Sequence, residues 1–180
     1  MRKESKEIMN ASIREFSLPK YEDIPNVGLY LEQVTNYINE YLAPLENLSI
    51  TASMISNYVK KGLVANPIKK QYTREQIAYL LFIAAAKSVL SLDNISLFLD
   101  MQKATYTAAV AYEYFRMELE NSLHYVFGLK DHLDRIGSER QTDEKLMLRN
   151  TSITIANKIY LEKCFSAVRK EKENGLSEVD

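Results

Sequence analysis

Two pairs of lysines, Lys60 with Lys61 and Lys69 with Lys70, stand close together in a stretch that also holds Arg74 and Lys87 but a single acid, Glu75. From Ser49 to Leu90 the formal balance is therefore +5, whereas the whole chain carries −1. Cations gathered on one part of a mildly acidic chain are suited to neutralising phosphates. Beside them lie Ser53, Ser56 and Asn57, whose hydroxyl and amide groups can meet base edges. The candidate DNA-binding set is Thr51, Ser53, Ser56, Asn57, Tyr58, Lys60, Lys61, Lys69, Lys70 and Arg74. A solvated charged face is the plainer account of the same lysines.

Other chemistries are thinly supplied. His124 and His132 titrate near neutrality, and neither belongs to a recognisable nucleophile motif. The Asp131, His132, Asp134 cluster is weak as a metal site, and no glycine-rich phosphate loop occurs. Cys164 is a single cysteine, so no internal disulfide or zinc spacing is available, and a reduced, cytoplasmic setting is expected. The opening residues lack the apolar centre of a secretion signal, and no run reaches membrane-spanning length. No catalytic residue, metal, cofactor or membrane partner is expected.

The elements that must position the lysines follow from local signals. Thr51 is a good helix N-cap, and Ala52, Ile55 and Val59 give the following short helix one apolar face. Gly62 sits where a left-handed C-cap residue belongs. LVANPIKKQY reads as a two-stranded wing with Lys69 and Lys70 near its tip. Thr73 and Gln76 form a capping box that starts a helix at Arg74, with Ile77, Leu80, Leu81, Ile83 and Ala84 as its stripe. Ser91 caps one more short helix containing Ile95, Phe98 and Leu99.

Around this stretch the pattern is also helical. Met1 to Phe16 makes an amphipathic helix through Ile8, Met9, Ile13 and Phe16. Leu18 to Asn26 is a proline-fixed connector. A helix from Gly28 to Leu42 ends before Pro44, and Ala43 to Ser49 forms the turn. Met101 to Val126 reads as one long helix, in which Met101, Thr105, Ala108, Tyr112, Phe115, Leu119, Ser122 and Val126 form a heptad-like seam. That seam is either packed on the chain's own helices or the interface of a homodimer through residues 101–126. A polar segment turning at Gly137 and Ser138 precedes a last helix from Asp143 to Lys170 and a charged tail. Tyr106, Tyr112, Tyr114, Phe115, Tyr125 and Phe127 are core aromatics that could also line a pocket for an unknown small-molecule effector.

The segment TASMISNYVKKGLV resembles the second helix of the MerR-type winged helix-turn-helix. Thr51 matches its capping position, Tyr58 its second tyrosine, and Gly62 and Leu63 its Gly-Leu pair. Pro67 and Tyr72 resemble the proline and last tyrosine of its wing. Ser56 stands where that family carries arginine, Asn57 replaces its first tyrosine, and the wing lacks the usual glycine and arginines. Over residues 18 to 99, LPKYEDIPNVGLYLEQVTNYINEYL and the segments after it resemble the bacterial domain-of-unknown-function family numbered eighteen thirty-six.

The fold expected is mainly α, a MerR-like winged helix-turn-helix followed by long C-terminal helices. Residues 1–17 would be an N-terminal arm or helix, 18–99 the winged domain, and 100–180 a helical dimerisation or regulatory extension. The function these readings imply is a non-enzymatic transcriptional regulator that binds double-stranded DNA. The competing expectation is a helix-turn-helix-derived module that binds a protein partner, favoured by Ser56 and Asn57.

Overall fold

A computed structural model describes residues 1–137 and 142–176, with side chains described as far as Gly175. The fold is mainly helical, in the order α1 (Lys3–Arg14), β1 (Leu29–Tyr30), α2 (Leu31–Leu42), α3 (Ala52–Lys60), β2 (Gln71–Tyr72), α4 (Arg74–Ala86), α5 (Leu92–Thr105), α6 (Ala108–Val126) and α7 (Asp143–Leu176). Single 3-10 turns occur at Tyr21–Asp23 and Ala43–Leu45. Among the described residues no helix is long and apolar enough to cross a membrane.

Helix α4 is the centre. Its residues from Gln76 to Ala86 are buried except for the half-buried Tyr79, so the expected stripe becomes a helix covered on nearly every side. Alanines at its C-terminal end let neighbouring helices approach closely. Helix α6 packs on α4 and on α7, and Phe82 of α4 meets Phe98 and Phe115 edge-on at 5.6 and 5.2 Å between ring centres. One continuous cluster of buried side chains runs from Met9 to Ile159. It includes Met9, Ile13 and Phe16 from the N-terminal segment, whereas Ile8 stays exposed.

The long helix expected over Met101 to Val126 is two helices. Helix α5 runs to Thr105, Tyr106 is extended, and Thr107 caps α6 by accepting from the amide of Val110 at 3.4 Å. The Gln102 side chain holds the break, donating from Nε2 to the Tyr106 carbonyl at 2.9 Å. Of the seam, Tyr112, Phe115, Leu119 and Ser122 are buried inside this chain, while Met101 and Thr105 are exposed on α5. The part of the seam from Tyr112 to Ser122 is an internal packing face, and Ala108 and Val126 are half-buried.

The connector before α2 is laid along α6. Glu120 Oε1 accepts from the Leu18 amide at 3.0 Å, Glu113 Oε1 from the Tyr21 amide at 2.6 Å, and the Tyr112 hydroxyl donates to the Pro19 carbonyl at 2.9 Å. Helix α7 contributes Ser152, Ile155, Ala156, Ile159 and Lys163 to its buried side, and Lys163 reaches Glu46 at 3.2 Å. Leu146, near the start of the helix, is exposed. The helix also continues past Lys170. Cys164 is half-buried with its Sγ 3.9 Å from Met9 Sδ. Gly137 has the positive φ of a turn residue, 81°; Ser138 and the last four residues of the charged tail lie outside the described residues.

Candidate nucleic-acid interface

Helix α3 is held at both ends and along its approach. Thr51 Oγ1 accepts from the Met54 amide at 3.2 Å, as its N-cap position requires. At the far end the Gly62 amide donates to the Val59 carbonyl and the Leu63 amide to the Tyr58 carbonyl, both at 3.0 Å, with Gly62 at φ 78°. This is the paired closure of a Schellman motif, in which the glycine adopts a conformation that costs other residues steric energy.

The two residues before the cap are clamped, one from each of two helices. Asn39 of α2 donates from Nδ2 to the Ile50 carbonyl and accepts on Oδ1 from the Ile50 amide, each at 2.9 Å. Lys87, at the end of α4, donates from Nζ to the Ser49 carbonyl at 2.7 Å, and burial lowers its pKa. Helix α3 is thus set against α2 and α4 by directional bonds as well as by Ile55 in the core. Sequence reading missed Asn39, and it counted Lys87 only as charge.

On the opposite side nothing among the described residues covers the helix. Thr51, Ser53, Ser56, Asn57, Lys60 and Lys61 are exposed. Ser56 Oγ donates to the Ala52 carbonyl at 3.0 Å, which leaves its lone pairs outward. Tyr58 points the other way. Its ring is 2% exposed and burial raises its pKa, so it belongs to the core and leaves the contact set.

After Gly62 the chain buries Leu63 and Val64, and Gln76 Nε2 pins the next loop through the Ala65 and Asn66 carbonyls at 2.8 and 3.3 Å. The expected two-stranded wing is reduced to one antiparallel bridge between Ile68 and Gln71, closed by reciprocal backbone bonds of 3.1 and 2.9 Å. Strand β2 pairs instead with β1, in the register Leu29 with Tyr72 and Tyr30 with Gln71. Gly28 is required beside this pair, because a β-carbon there would sit 2.7 Å from that of Gln71. Lys69 and Lys70 form the two-residue turn with φ of 50° and 66°. Positive φ at both centres is the type I′ pattern, which favours asparagine and glycine over lysine.

Among the described residues none of Lys60, Lys61, Lys69 and Lys70 forms an ion pair, and all four are exposed. Arg74 differs. It donates from Nε to the Ile24 carbonyl at 2.7 Å and from Nη2 to the Glu22 carbonyl at 2.9 Å, and it lies over the Tyr21 ring. Its hydrogen bonds tie the connector to α4, so it is an anchor rather than a free cation.

Residues 19–115, more than half of the chain, match the family described as Domain of unknown function (DUF1836). The chain belongs to that family. The DUF1836 segment begins in the connector, contains α2 to α5, and ends within α6 at the level of Phe115. It therefore includes the exposed helix, the lysine turn and the clamps that fix them. No curated protein and no solved structure matches the chain.

Proposed function

We propose that this DUF1836 protein is a transcriptional regulator that binds double-stranded DNA with a MerR-like winged helix-turn-helix. Helix α3 enters the major groove. Ser53, Ser56 and Asn57 address base edges, while Lys60 and Lys61 from the helix end and Lys69 and Lys70 from the turn hold phosphates. The observation that carries the reading is the uncovered polar side of α3, supplied with lysines that have no acidic partner among the described residues.

Placing two strained lysines at a tight turn supports it further. Asparagine and glycine would make the turn more cheaply, so the charges serve something other than stability. Fluorescence anisotropy on a pool of genomic duplex fragments tests the reading, comparing the natural chain with the Lys60→Ala, Lys61→Ala, Lys69→Ala, Lys70→Ala variant. The expected result is binding by the first and loss by the second; equal binding would move the interface elsewhere.

A second reading has its own support. Tyr30 and Ile68 flank Gln71 across the small sheet and are 54% and 69% exposed, with Val27 exposed nearby in sequence. An apolar edge beside the lysine turn suits a protein partner. Binding through it would survive salt that disperses phosphate contacts.

A further inference from the structure

Helices α4, α5, α6 and α7 leave a cavity of about 60 Å³ between them. Its walls are almost wholly apolar, and rings dominate them: Tyr79 and Phe82 from α4, Phe98 from α5, and Tyr112, Tyr114 and Phe115 from α6. Of the expected aromatic set, Tyr106, Tyr112, Tyr114 and Phe115 reach this cavity. Tyr125 is exposed elsewhere, and Phe127 packs edge-on against Tyr160 at 5.2 Å.

One polar atom inside lacks a partner among the described residues. Gln102 is 9% exposed and lines the cavity, and its side chain meets the Tyr79 hydroxyl, yet its Oε1 receives no hydrogen bond. The amide cannot simply be turned round, because Nε2 must donate to the Tyr106 carbonyl at 2.9 Å. A buried carbonyl oxygen left without a donor costs free energy that a bound donor would recover. Glu144 and Lys145 of α7 also line the cavity; Glu144 accepts from Thr105 Oγ1 at 3.3 Å, and the Lys145 ammonium lies 5.1 Å from the centre of the Tyr114 ring.

We propose that this cavity binds a small neutral compound with one aromatic ring and a single O–H or N–H donor, the simplest being phenol. The donor bonds to Gln102 Oε1, and the ring packs edge-to-face among Phe82, Phe98 and Phe115. A charged ligand is excluded from the interior, since the apolar wall offers nothing to replace its hydration. Size restricts it as well. The cavity is less than half of the roughly 150 Å³ that encloses a benzene ring in an apolar core, so a single ring must stay partly outside it and a fused pair will not enter.

The site is independent of the DNA reading, and its test uses this protein alone. Phenol, anisole, cyclohexanol and 2-naphthol are titrated into labelled protein, with methyl and amide NMR shifts as readout. Phenol is expected to shift Phe82, Leu99 and Leu148 neighbours and to bind about tenfold tighter than anisole or cyclohexanol, with no shift from 2-naphthol. In the Gln102→Leu variant the phenol advantage over anisole should disappear. Equal binding of phenol, anisole and cyclohexanol would overturn the assignment. So would shifts away from these helices, or none with phenol, which would leave the cavity a packing defect.

Discussion

The number of lysines free to meet phosphate sets a salt dependence that can be measured. Sequence offers six cations between Ser49 and Leu90. The structure spends two of them, Arg74 on the Ile24 and Glu22 carbonyls and Lys87 on the Ser49 carbonyl. Four phosphates neutralised per bound copy give a slope of log affinity against log salt of about −3.6, at about 0.9 per contact. Between 50 and 200 mM salt, affinity should fall about 150-fold; six contacts would give a slope of about −5.4 and about a 2,000-fold loss. Anisotropy with one labelled duplex at five or six salt concentrations separates these cases. Removing Lys69 and Lys70 should reduce the slope to about −1.8, and removing all four should bring it near zero. A slope unchanged by the four substitutions would refute the assignment of these lysines to phosphate, whatever the affinity.

Other perturbations probe the supports of the site. Asn39→Ala leaves both backbone groups of Ile50 without their partners and should cost about 2–4 kcal/mol in urea unfolding; a loss under about 0.5 kcal/mol would show that the clamp is not needed. Replacing the turn by Lys69→Asn with Lys70→Gly should raise stability by about 1 kcal/mol in the same assay while weakening DNA binding, and a loss of stability would contradict the strain argument. Glu118 gives a pH prediction: burial raises its carboxyl above the ordinary value of 4.5, against the opposing charge of Arg149. The folded state then holds its proton longer than the unfolded chain, so wild-type stability relative to Glu118→Gln should fall as pH rises from 4.5 through the raised value. Denaturant midpoints from pH 4 to 7 check this, and a difference that grows with pH would have the wrong sign.

What could be read from the sequence was mostly local. Thr51, Thr73 and Ser91 announce helix starts because the bond each makes is three residues long, and the Thr73 and Gln76 box forms as its spacing requires. Gly62 announces a helix end for the same reason. Longer-range partners decided the rest. Nothing near Tyr106 breaks helical patterning with glycine or proline, and the break is instead fixed by the Gln102 amide and the Thr107 cap. The heptad-like spacing of Tyr112, Phe115 and Leu119 identifies a buried face, but not that the covering helices belong to the same chain. Tyr58 follows the resemblance into the contact set, while its position three after Ile55 places it on the apolar side of α3. Arg74 and Lys87 count as charge in composition, and their carbonyl partners lie far off along the chain.

The most direct test of the central claim is a backbone-amide NMR titration of the full chain with a duplex selected from the genomic pool. Perturbations at low salt should centre on Ser53, Ser56, Asn57, Lys60, Lys61, Lys69 and Lys70, with the exposed Leu161 and Phe165 of α7 unmoved. Perturbations centred on α7, or a spectrum unchanged at saturating duplex, would contradict it.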